Sequence, residues 1–350
     1  MAHLKAFVVF ASATFGVATS VFAGAGTFTT TVTPLTTNVT YSAPAAGGAP
    51  PLNTVVGYTV SVASDPSNTN NTNHIVFIGT TTVTDATEAA EFSSADGATC
   101  STIANPAGSP ANARTISCDI GTLRAGQAYP TFAVFFKAPA ADPAGPPTPD
   151  NVHFSGATNI AEGSPTPFNS TFLWAAGDVL LGTPNPVLVK SAVPKAGGTL
   201  FTGVGGVPTG ANQFATTVGI PAAPTYTTAT IAISPAGDPN CSNFVTCYQS
   251  DLTIPGTFSP YLTIVLRQDA STIKSGTKIT SVVLVYIAAN NTQTVIGLCA
   301  SPTTPRTDGI PCIAKQTYYK NKLVPGWTAA LDGDFEWTLI NLNNGIYKVL

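Results

Sequence analysis

An all-β fold of two sandwich-like domains is what this sequence predicts, and three observations predict it. Short apolar runs of period two recur roughly every 10 to 15 residues, separated by Gly, Pro and Asn clusters, which is the pattern of strands joined by turns. The polar residues are mostly Thr, Ser and Asn, and only 9% of the chain is charged against about 25% in an average soluble domain. No segment sustains a helical period, although Ala86 to Phe92 could form one turn of helix. The 31 glycines and 29 prolines would suit a disordered chain, but 44% hydrophobic residues in alternating runs supply enough apolar surface for packed cores.

The chain opens on the three parts of an export signal. Met1 to Lys5 is a short basic stretch, Ala6 to Ala18 is apolar, and Val21-Phe22-Ala23 precedes Gly24 as a small-residue cleavage site. Residues 1–23 are therefore expected to be a signal peptide, with a secreted or cell-surface mature chain that has no transmembrane segment. The formal net charge of -3 and the absence of a Lys/Arg cluster exclude a basic nucleic-acid footprint.

After one or two edge strands within residues 24–53, Val55 to Val62 alternates with Val56, Tyr58, Val60 and Val62 on the expected inward face. His74 to Ile78 and Thr80 to Asp85 read as the next two strands, with Gly79 between them. Thr115 to Cys118 follows, and then Ala128 to Lys137 with Phe132, Val134 and Phe136 on one parity. Val152 to Gly156 and Ser170 to Leu173 look like closing strands beyond the proline-rich tract Pro139 to Pro149.

Tyr58-Thr59-Val60-Ser61-Val62, Val83-Thr84-Asp85, Cys100 and Cys118, and Gly121-Thr122-Leu123-x-x-Gly126 follow in order. In this order they resemble the DUF11-type bacterial surface repeat over roughly residues 54–175, with Ala63-Ser64-Asp65-Pro66 standing where that repeat usually has Asn-x-Gly. The resemblance implies an immunoglobulin-like sandwich of a bacterial exported protein, placed at residues 24–176. The physical reading runs alongside: Gly121 and Gly126 fit turns that need positive φ, and Leu123 would plug the end of the core.

Residues 177–210 read as a linker or edge segment, and residues 211–350 as a second, disulfide-bearing β domain. Its strand candidates are Ala215 to Val218, Thr227 to Ile233, Tyr261 to Arg267, Ile279 to Ala288, Thr294 to Leu298 and Phe335 to Ile340. Asp332-Gly333 is a hairpin signal before the last of these.

Six cysteines in an exported chain imply disulfides. Fifteen pairings are open; the spacing falls into the local couples Cys100 with Cys118, Cys241 with Cys247 and Cys299 with Cys312, and local pairing is expected. No couple has the C-x2-4-C spacing of a zinc site, so no metal is expected.

Catalysis has little to work with. His74 and His153 are the only histidines after the signal, no G-x-S-x-G elbow occurs, and the acidic residues are scattered without a nominated pair. Asp332-Gly333-Asp334-Phe335-Glu336 offers oxygen ligands but lacks a calcium loop. Trp174, Trp327 and Trp337 are candidates for an exposed aromatic patch, with Trp337 expected in the core because it alternates with Phe335 and Leu339. The expectation is a secreted or cell-surface structural or adhesive protein, not an enzyme, without catalytic, cofactor-binding or metal residues, meeting other surface proteins or glycans. The alternatives are a carbohydrate- or ligand-binding module, which needs a concave polar cleft or aromatic shelf, and a glycoside hydrolase, which needs two converging carboxylates.

Overall fold

The structure is a computed structural model, and it describes residues 28–41, 54–67, 73–139, 150–161, 169–182, 188–203, 206–208, 213–274, 276–319 and 334–350. The expected signal peptide, Trp327 and the Asp332-Gly333 turn lie outside the described residues. The fold is all-β, as expected.

Eleven strands build the first domain. They are β1 (Phe28–Pro34), β2 (Asn38–Thr40), β3 (Val55–Ser64), β4 (Asn73–Val83), β5 (Glu91–Asp96), β6 (Thr99–Ile103), β7 (Arg114–Leu123), β8 (Phe132–Lys137), β9 (Asp150–Ala161), β10 (Asn169–Ala175) and β11 (Val179–Gly182). One sheet runs β1-β3-β8-β5. The other runs β2-β11-β9-β4-β7-β6, with β10 also paired to β9. The first order, set against β4, β9 and β11, reproduces the two layers of an immunoglobulin-like sandwich. The β6–β7 hairpin widens the second layer, and β2 joins it parallel to β11.

Alternation along the strands fills the space between the layers. Val56, Tyr58, Val60 and Val62 from β3 and Phe132, Val134 and Phe136 from β8 meet Ile75 and Phe77 of β4 and Phe154 of β9. Tyr58 packs on Phe154 at 4.8 Å between ring centroids, and Phe77 meets Phe132 edge-on at 5.7 Å.

The second domain contains β12 (Leu188–Val193), β13 (Gly198–Phe201), β14 (Phe214–Ile220), β15 (Thr227–Pro235), β16 (Tyr248–Thr253), β17 (Leu262–Gln268), β18 (Leu284–Ile287), β19 (Gln293–Val295), β20 (Cys312–Tyr319), β21 (Asp334–Asn341) and β22 (Gly345–Val349). A sheet of order β12-β15-β16-β22-β18-β19 packs on one of order β13-β14-β17-β21-β20. Phe214, Phe335, Trp337 and Tyr347 are fully buried between them. Residues 177–210 thus give β11 to the first sandwich and two edge strands, β12 and β13, to the second.

The cysteines are joined as Cys100–Cys118, Cys241–Cys247 and Cys299–Cys312, and no described cysteine is free. Cys100 and Cys118 sit directly opposite each other on β6 and β7. Three closed disulfides fit an oxidising compartment rather than the cytosol. No helix among the described residues is long and apolar enough to cross a membrane.

Four local expectations are corrected. Gly79 does not separate two strands: β4 runs through it, because Gly79 lies opposite Gly156 of β9 beneath the ring of Phe154. Ala86 to Phe92 forms no helix; a single turn, closed by the Glu88 N–H to the Asp85 carbonyl at 3.2 Å, leads into β5. Ile279 to Ser281 is a short 3-10 turn, so the strand expected from Ile279 begins only at Leu284. Gly121 has the expected positive φ of 72°, but it occupies a bulge within β7, opposite Ile75, rather than a turn.

The two sandwiches are sewn together along β12. Its free edge is covered by the first domain: the Val55 N–H donates to Ser191 Oγ at 2.8 Å, and the Lys190 N–H donates to Thr40 Oγ1 at 2.8 Å. The Lys195 N–H reaches Asp96 Oδ2 at 2.6 Å. Between these bonds Val55, Ala133, Phe135 and Ala192 form a small apolar cluster, to which Leu35 and Tyr226 add. An edge strand that would otherwise offer unpaired backbone groups is closed in this way.

Candidate functional site

The seam leaves a cleft of about 400 Å³ at one end, within the size range of small-molecule sites. Its walls follow from strand register. On the first sandwich Val39, Val179 and Leu181 point into the core, which turns Asn38, Leu180 and Gly182 the other way. The parallel pairing sets Leu180 beside Asn38 and Gly182 beside Thr40. On the second sandwich Val189 enters the core and Lys190 faces out, directly opposite Thr230 of β15. Leu188 completes that wall.

Three features of the cleft are chemically open. Asn38 Oδ1 is a buried acceptor without a hydrogen-bond partner among the described residues. Lys190 takes part in none of the ion pairs among those residues. Leu180 and Leu188 are each 39% exposed, large apolar groups held at the surface by strand parity. A larger hollow of about 620 Å³ lies beside the turn Thr122 to Gln127; among the described residues that turn alone lines it, with one cation, Arg124. The two-walled cleft is the better receptor.

The scattered acids do include a group that folding brings together. Asp85 follows β4, Glu88 precedes β5 and Asp150 begins β9, and a carboxylate oxygen from each lies within 4.8 Å of the others. Tyr41 donates its hydroxyl to Asp150 Oδ2. Burial, then the neighbouring Asp150 and Glu88, push the Tyr41 hydroxyl far above its ordinary pKa, so it remains a donor. Asp85 Oδ1 accepts from the Thr87 hydroxyl at 2.7 Å and the Thr87 N–H at 2.8 Å, which holds its carboxyl below the usual range. Three oxygens fall short of the six to eight that calcium takes. Glu88 and Asp150 are both buried, so the pair presents no open face to a sugar ring.

The histidines lie elsewhere on the first domain. His74 Nε2 is 3.5 Å from Asp119 Oδ1 at the start of β4. His153 Nδ1 is 2.8 Å from Asp178 Oδ1, and its Nε2 is 3.3 Å from Thr84 Oγ1. The order Asp178, His153, Thr84 has the outline of a nucleophile relay. Thr84 Oγ1 is nonetheless engaged with the backbone, accepting from the Asn151 N–H at 3.1 Å and donating to the Asn151 carbonyl at 3.4 Å, and the group is exposed on the outer sheet face. Trp174 corrects the aromatic-patch expectation: it is buried and stacks on Phe77 at 4.7 Å. Trp337 is buried, as its alternation suggested.

Asp334 and Glu336, at the start of β21, have structural partners. Glu336 pairs with Arg267, and Asp334 Oδ1 accepts from the Ala270 N–H at 3.1 Å. Burial raises the Asp334 carboxyl from 3.8 to about 6. The folded state therefore holds this proton more tightly than the unfolded chain does, and stability contributed at low pH is lost as pH rises from about 4 to about 6. The shift corresponds to roughly 3 kcal/mol. Asp334→Asn, which keeps an acceptor for Ala270, is expected to flatten this loss and to raise the urea midpoint at pH 7 while leaving that at pH 4 nearly unchanged.

No family model matches the chain, and no curated protein matches it. Among solved structures it is similar to the C-terminal domain of the AgI/II polypeptide BspA of Streptococcus agalactiae, at 10% identity over 91% of this chain and 89% of that one, with a TM-score of 0.24. A superposition of that score carries no argument about fold or function.

Proposed function

We propose that this chain is a secreted or cell-surface structural and adhesive protein without catalytic activity, its first sandwich of the DUF11 type. The observation that carries the reading is the seam: the edge strand β12 of the second sandwich is closed against the outer face of β3 and β8 and against β2 of the first, which makes a stiff tandem unit of the kind an exposed scaffold needs. Three disulfides and a surface rich in Thr, Ser and Asn support life outside the cell. The hydrolase alternative is disfavoured by the sealed carboxylate group. The ligand-binding alternative gains from the two-walled cleft.

Fractionation of the producing cells, combined with thiol alkylation and intact mass, tests this reading. The expected result is a chain beginning at Gly24 outside the cytosol, with no alkylated thiol until it is reduced. A cytosolic chain with six free thiols would overturn it.

A further inference from the structure

We infer that the cleft between the sandwiches is a binding site for a carboxylate-bearing sugar, a uronic acid unit within a longer glycan. This rests on the reading of the chain as a surface protein, since such glycans are met outside the cell. Each open feature of the cleft specifies one feature of the ligand. The Lys190 ammonium, with no acid paired to it among the described residues, calls for an anion. Asn38 Oδ1, buried and unpartnered, calls for a hydroxyl donor. Thr230, opposite Lys190 on the neighbouring strand, adds a second hydroxyl partner.

Leu180 and Leu188 supply the apolar surface on which the C–H face of a pyranose ring can lie. A bare phosphate suits the site poorly, because the acceptor oxygen of Asn38 would face its charge and the leucines would contact nothing. A neutral sugar leaves Lys190 without a counter-charge. The volume of about 400 Å³ accommodates a small saccharide, and the site lies at a domain interface, where ligand clefts concentrate.

The purified, oxidised chain is titrated with digalacturonic acid, with neutral galactobiose and with inorganic phosphate, and backbone amide shifts are followed by NMR. Digalacturonic acid is expected to move the amides of Asn38, Lys190 and Thr230, and to bind more tightly than either of the other two. Lys190→Gln keeps the N–H to Thr40 and much of the side-chain stem; it should weaken digalacturonic acid by at least about tenfold, and by more than it weakens galactobiose. Absence of shifts at these amides, equal affinity for galactobiose, equal affinity for phosphate, or an unaltered affinity in Lys190→Gln would each overturn the inference. If the variant does not fold, the shift map and the ranking of the three probes on the native chain decide the matter. The titration is independent of where the cell places the protein, so its failure and that of the surface reading are distinguishable.

Discussion

Gly156→Ala is expected to destabilise the first sandwich by about 3 kcal/mol, seen as a lowered urea midpoint for the transition of that domain. Gly156 of β9 lies opposite Gly79 of β4 and opposite Trp174 of β10. A Cβ there would stand 2.0 Å from the Ile78 carbonyl oxygen, 2.8 Å from Trp174 Cζ2 and 3.0 Å from Gly79 Cα. Two of these neighbours are backbone, so relief requires moving a central strand rather than turning a side chain. The pair of glycines forms the slot that admits the indole of Trp174 over the centre of the sheet, where it stacks on Phe77 and meets Phe154 edge-on at 4.9 Å. Gly198→Ala is the control: nothing lies within 4 Å of its added Cβ, and the change should stay within about 0.5 kcal/mol. Equal effects of the two substitutions would contradict the slot.

Trp337→Ala should destabilise the second sandwich by about 4 kcal/mol, whereas Trp337→Phe should cost no more than about 1. Trp337 is fully buried on β21 and packs edge-on against Phe335 at 5.8 Å. Its indole N–H is buried with no hydrogen-bond partner among the described residues. Phenylalanine keeps most of the ring contact and removes an unsatisfied donor, which offsets part of the lost volume. Alanine leaves a cavity at the centre of the layer. Thermal or urea unfolding of both variants, followed by the near-ultraviolet signal, tests the contrast, and a Phe variant as unstable as the Ala variant would refute it.

Strands with a strong period-two pattern were legible from the sequence. The inward residues assigned to β3 are all fully buried, as are Phe132, Val134 and Phe136 of β8. Other strands were not legible. β16 reads Tyr-Gln-Ser-Asp-Leu-Thr and β20 is rich in polar residues, so neither has a sharp hydrophobic alternation; both are ordered by the partners they pair with. The candidate site was less legible still. Asn38 and Lys190 come from edge strands 152 positions apart in the chain, and Asp150 at the start of β9 meets Asp85 and Glu88 of the β4–β5 turn across more than sixty residues. No local spacing reports such encounters.

By itself the sequence determined the β class, the inward faces of the strongest strands and the local pairing of the cysteines, because period-two alternation, turn residues and cysteine spacing act locally. Only the tertiary structure decided which second faces are also buried. Ala133 and Phe135 lie on the parity of β8 that alternation turns outward, yet both are fully buried, because β12 and Tyr226 of the other sandwich cover them. The same packing turned an edge strand into a seam and left the cleft at its end. Period-two alternation assigns a residue to a side of its own sheet; whether that side meets water or a second domain depends on contacts distant in the chain.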